Sequence, residues 1–189
     1  MKLPQVKSIV LLHGPAIMQS LEPKVNTTTT SLQPTLISEY VNPVLSATRD
    51  VFEMMLGCTP KRTGLKIKEM QTCSQYAVSG VIGVTGRAVG TIVLCLPKQM
   101  AIDVLQRMVG TETDSITAEV CDAVGELTNM IAGAAKAQLA HLNLSLSLPN
   151  VVRGESYDVS YPSDVSPFCI LFESELGPFV IEVGFSKVS

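Results

Sequence analysis

One stretch constrains this chain more than any other: from Ile116 to His141 the apolar residues Ile116, Val120, Val124, Leu127, Ile131 and Ala134 recur at intervals of three and four. That spacing places them on one face of a single long helix and requires a core for the face to pack against. On the same helix Asp122, Glu126, Asn129 and Gly133 fall at spacings of four, three and four. They make one ridge turned away from the apolar face.

The rest of the chain must supply that core. At 189 residues and 46% hydrophobic content, it is long enough for one sizeable core and reads as one domain. From Leu36 to Met55, residues such as Ile37, Val41, Val44, Val51, Phe52 and Met55 repeat with helical spacing, and Gly57 stops the run. Pro43 either sits in an early turn of this helix or marks its start with Asn42 as N-cap. Gly64 to Met70 and Tyr76 to Pro97 have strand-like content, with Thr85-Gly86 as a hairpin turn. Pro97 opens a short amphipathic helix through Met108, which Gly110 closes. Leu144 to Leu148 alternates apolar residues with serine until Pro149, and Phe168–Phe172 with Phe179–Phe185 form a closing hairpin around Leu176-Gly177-Pro178. The predicted class is α/β in the α+β sense, with long helices packed on a mainly antiparallel sheet.

Residues 1–34 read differently. Ser20 to Pro34 is rich in Pro, Asn and Thr, including the run Thr27 to Thr30, and cannot bury enough apolar surface to offset the entropy of ordering. This segment is expected to be a flexible tail, with the domain proper at 35–189 and Met18 as a candidate start. The apolar run Ile9 to Leu12 is too short for a secretory signal, and no stretch reaches the roughly 20 apolar residues of a membrane span. A cytoplasmic location is expected.

Charge and inventory exclude several functions. Charged residues are 16% of the chain and the net charge is −3, which gives no basic footprint for nucleic acid. The five cysteines are scattered without a CxxC pair and read as reduced thiols. Of the two histidines, His13 lies in the tail and His141 at the end of the long helix, where a surface or dipole role is commoner than a base. There is no GxSxG, HExxH or GxxxxGK[ST]. No cofactor or metal of the chain's own is expected.

The ridge remains. A carboxylate and a carboxamide one turn apart do different jobs: Glu126 can pair with a cation, while Asn129 can donate and accept at once and so hold a water in line with an electrophilic phosphorus. Small residues one turn on, Ala132 to Ala135, would let another protein approach closely. An E-x-x-N pair on a helix is also a common solvated face, and Gly133 also fits tight core packing, so spacing alone does not decide.

The surrounding residues add a resemblance. "GELTNMIAGAAKAQL" (Gly125 to Leu139) followed by "SLPNVV" (Ser147 to Val152), with "VIGVTGRAVGTIVLCLP" (Val81 to Pro97) and "VLQRMVG" (Val104 to Gly110) upstream, resembles the chemotaxis phosphatases of the CheC/CheX/FliY family, CheX most closely. The resemblance covers about Leu36 to Val188. It implies a CheC-like fold, a homodimer, and removal of the phosphoryl group from the aspartyl phosphate of a CheY-type receiver protein. It also implies roles: Asn129 orients the attacking water, Glu126 pairs with the regulator's lysine, and Asp122 begins the motif. Pro149 matches the family's later proline, at a slightly short interval, and Mg²⁺ belongs to the partner regulator. CheC proteins carry two such motifs and CheX proteins one. Here Glu39 and Asn42 share the spacing, but Pro43 follows at once and Asn42 is read as a helix-start residue. The competing expectation is a non-catalytic interaction module of the same fold, as in flagellar switch proteins.

Overall fold

The computed structural model describes residues 37–68, 76–154, 157, 159, 161 and 165–188. The expected tail over 1–34 lies outside the described residues, as does the end of the first predicted strand at Met70. Three α-helices are described: α1 (Asn42–Leu56), α2 (Lys98–Val109) and α3 (Ala118–Gln138). Seven strands, β1 (Lys61–Ile67), β2 (Val78–Thr85), β3 (Ala88–Leu96), β4 (Ser145–Leu146), β5 (Asn150–Arg153), β6 (Phe168–Ser174) and β7 (Gly177–Lys187), join in one sheet. Their order is β1-β6-β7-β3-β2-β4, β5 also pairs with β2, and every pairing is antiparallel. This is the mixed architecture expected from the alternation of periods.

Side chains alternate across the sheet with period two, which assigns each strand a helix-facing side. Val78, Ile82 and Val84 of β2, Ile92, Leu94 and Leu96 of β3, Ile170 of β6, and Phe179, Ile181 and Val183 of β7 enter one core with the buried faces of the helices. Within it Phe52, Phe179 and Phe172 stack in series, with ring centroids 4.6 and 4.9 Å apart. The opposite face of the sheet carries Val93, Cys95, Cys169 and Val180, and Tyr157, Val159 and Tyr161 lie across it.

That second face holds a feature the periodicity did not announce. Glu182 of β7 is fully buried; Lys68 pairs with it at 2.9 Å, and the Tyr161 hydroxyl donates to it at 2.9 Å. On the same face, the Tyr157 hydroxyl donates to Ser79. Taking two charges out of water is offset only by such close pairing and added hydrogen bonds. A carboxylate inside the otherwise apolar run Phe179 to Phe185 was the available signal.

Several boundaries shift. The chain is already helical before Asn42: Ile37–Val41 forms a π turn, Val41 has φ −74° and ψ −43°, and no side chain caps α1. Asn42 is therefore the first residue of the α segment and not its N-cap, and Pro43, which has no N–H to donate, falls in the first α turn directly after the π turn. The long helix ends at Gln138, and His141 sits in a separate 3₁₀ turn, Ala140–Leu142. The first strand begins at Lys61, ahead of Gly64, and Gly86-Arg87 bridge the β2–β3 hairpin. Left-handed Gly57 and Gly110 end α1 and α2 as expected. No helix among the described residues is long and apolar enough to cross a membrane.

Cys58 and Cys121 are free thiols, and Cys95 and Cys169 are buried in the sheet. Burial pushes the Cys58 thiol up, with the Glu175 carboxylate adding to the shift and the Arg107 guanidinium opposing it.

Candidate active site on the long helix

Helix α3 begins where Thr117 accepts a hydrogen bond from the Val120 N–H, satisfying one of the donors left open at a helix start. Val120, Val124, Leu127, Ile131 and Ala135 bury its core face. The helix packs on α1 and α2 to its sides and on β2, β3 and β5 beneath. A rod seated on so many elements holds its outward side chains in a defined geometry.

Those outward side chains are the predicted ridge. Asp122 and Glu126 are exposed, while Asn129 and Gly133 are half-buried. Positions 126 and 129 are neighbours on the helix surface, with Cβ atoms about 5–6 Å apart as for any i, i+3 pair. Neither side chain makes a hydrogen bond or ion pair with another described residue. A carboxylate and a carboxamide thus stand side by side with their bonding capacity open to whatever approaches.

Two concavities flank the ridge. Asp122 and Glu126 edge a groove of about 380 Å³ floored by Leu105, Met108, Val109 and Ala123. The α2 side of this groove leaves no mark in the spacing of α3, because those residues belong to another helix. Gly133 edges a second groove, of about 630 Å³, with Lys136, Ala137, Asn143 and Leu144. A Cβ built on Gly133 meets nothing within 4 Å, so tight core packing, one of the two readings open from sequence, is not the reason for this glycine.

Pro149 comes to the site from the other side. It is half-buried, and a Cβ on Gly125 would lie 3.9 Å from its ring atoms, so the proline packs on the helix immediately beside Glu126. All five residues singled out from sequence, Asp122, Glu126, Asn129, Gly133 and Pro149, therefore border one face of α3. Among the described residues no group of three or more His, Cys, Asp or Glu is placed to hold a metal ion.

The second E-x-x-N pair is built differently. Glu39 lies in the π turn, with its carboxylate 4.0 Å from the His141 imidazole. Asn42 edges a basic groove with Arg49, Lys61 and Arg62. A π turn rotates successive residues by less than an α turn does, so this pair does not line up as positions 126 and 129 do.

Comparison with known proteins bears on the family and the fold. The family model described as chemotaxis phosphatase CheX matches residues 78–173. The CheY-P phosphatase CheX of Thermotoga maritima is 28% identical over 125 residues, covering 65% of this chain and 80% of that protein. The crystal structure of the chemotaxis protein CheX from Vibrio vulnificus superposes with a TM-score of 0.71 at 30% identity, over 78% of this chain and 99% of that one. A putative chemotaxis protein from Desulfovibrio vulgaris Hildenborough gives 0.69 at 33% identity, over 78% and 97%. Matched in sequence across β2 to β6 and in fold over nearly the whole of these relatives, the chain belongs to the CheX family of chemotaxis phosphatases.

Proposed function

We propose that this chain is a protein phosphatase that hydrolyses the aspartyl phosphate of a CheY-type response regulator. The observation that carries the reading is the pair Glu126 and Asn129, adjacent on a firmly packed helix and without partners among the described residues. The family and the Thermotoga maritima relative named CheY-P phosphatase support the same substrate.

In this reading the receiver brings the electrophile and its own Mg²⁺, and α3 brings the missing positions. Glu126 pairs with the lysine of the receiver's active site and so registers the two proteins. Asn129, one turn on, holds a water through its amide in line with the phosphorus, on the side opposite the aspartyl oxygen. Attack by the water oxygen forms the new P–O bond while the bond to the aspartyl oxygen breaks. Inorganic phosphate leaves with both of the water's protons, one on the attacking oxygen and one passed to another phosphate oxygen, and the receiver regains its free carboxylate. No acid or base is needed from this chain, in keeping with its scarcity of histidine. Asp122 and Pro149 border the contact, and the bare backbone at Gly133 permits close approach.

The same reading places the protein in the cytoplasm with its receiver and takes the chain to be a homodimer, which light scattering at micromolar concentration checks. The alternative, a non-catalytic module of this fold, is disfavoured by the presence of both side chains on an accessible face. Phosphate release from a panel of phosphorylated receiver domains separates the two. Acceleration over the spontaneous rate for at least one receiver is expected; binding without acceleration of any would leave the scaffold reading in its place.

A further inference from the structure

The ridge is aimed by contacts on the neighbouring face of its own helix. Gly125 and Thr128 each precede a ridge residue by one position, so they form a parallel row about 100° around the axis from Glu126 and Asn129. At Gly125 the sheet enters the helix: a Cβ there would stand 3.2 Å from Cγ2 of Val151 on β5. At Thr128 the helix enters the sheet: a Cβ on Gly80 of β2 would stand 2.0 Å from the threonine Oγ1 and 2.9 Å from its Cβ. Gly80 and Val151 are register partners on adjacent strands. Each surface thus offers one projection and one gap, side by side.

Thr128 is fully buried, and its hydroxyl donates to the Val124 carbonyl at 2.6 Å, back along its own helix. Its contact with Gly80 is therefore one of shape. Rolling α3 one way drives Thr128 into the β2 backbone; rolling it the other way opens a gap at Val151. We propose that this reciprocal fit of Thr128 into Gly80 and Val151 into Gly125 sets the rotation of α3 and thereby the aim of Asn129, making the four of them positioning residues for the phosphatase. The inference rests on the catalytic reading of Asn129.

At the 5–6 Å radius of a helix surface, a roll of about 10° moves a side chain by about 1 Å. Misplacement of that size costs a preorganised site on the order of 10²-fold. Glu126 is long and flexible enough to follow such a shift, whereas the short Asn129 is not, so kcat should suffer more than KM.

The test uses the full chain and a phosphorylated CheY-type receiver domain. Gly80→Ala should lower kcat by at least about 10-fold, with KM within about 3-fold, at unchanged helix content. Adding Thr128→Gly, which removes the opposing side chain, should recover kcat. Thr128→Ala should lower kcat, and Thr128→Val, which keeps the shape without the hydroxyl, should recover it. A crystal structure of Gly80→Ala should show α3 rolled by about 10° relative to the sheet; if that variant is not recovered folded, Thr128→Ala serves for both readouts. An unmoved helix overturns the inference whether or not Asn129 is catalytic. So does wild-type kcat in these variants when Asn129→Ala has lost activity, or equal damage from Thr128→Val and Thr128→Ala. Full activity in Asn129→Ala, with the roll present, overturns the catalytic reading and leaves the positioning of the helix standing.

Discussion

The same four-residue pattern occurs twice in this chain and is presented differently each time. Glu126 and Asn129 share one face of a regular α-helix, Glu126 exposed and neither engaged with a described partner. Glu39 and Asn42 straddle the change from a π turn to an α-helix, the glutamate drawn toward His141 and the asparagine beside a basic groove. A short motif acquires chemistry only where the backbone presents both side chains in one direction and leaves them unengaged.

Carboxylates extend the comparison, since Glu182, Glu126 and Glu39 differ in surroundings more than in chemistry. Glu182→Gln strips the buried Lys68 ammonium of its carboxylate and should lower unfolding stability by about 3 kcal/mol, the largest effect expected here. Urea denaturation checks it, and an unchanged midpoint would mean that the pair contributes no net stability. Glu126→Ala should leave stability near wild type and reduce kcat/KM by about 30-fold, the equivalent of about 2 kcal/mol for truncating one partner of a desolvated charge pair. In the same assay, Glu39→Ala and Asn42→Ala should fall within about 2-fold of wild type, and a loss comparable to that of Glu126→Ala would erase the contrast between the two motifs.

Gly133→Ala sharpens the contrast in the opposite sense. An added methyl meets nothing inside the chain and removes a helix-interior glycine, so thermal unfolding should show a gain of up to about 1 kcal/mol. Phosphatase turnover should nevertheless fall, because the methyl projects where the receiver would come close. Gained stability with full activity would show that the receiver does not approach Gly133.

What could be read in the sequence was what a single element encodes. The period of α3, the order of its ridge and the strand alternation of β2, β3, β6 and β7 are local, and so was the stop at each left-handed glycine. Two starts for the first helix fit the sequence, because Asn-Pro suits an N-cap as well as an early helical turn, and the structure has the second, with a π turn ahead of Asn42. Residues that meet only in the fold left no local trace. Thr128 against Gly80, Pro149 beside Gly125, and the groove floor from α2 all join distant parts of the chain. Lys68 with Glu182 falls between the two cases, since the charge within an apolar strand was visible while its partner was not.

The proposed catalysis depends on the carboxamide of Asn129. Single-turnover dephosphorylation of a phosphorylated receiver by a saturating excess of Asn129→Ala reads it directly, free of changes in affinity. A loss of about 10²-fold to 10³-fold in rate with the fold intact is predicted for removal of one preorganised group; a rate equal to wild type would contradict the proposed role of this residue.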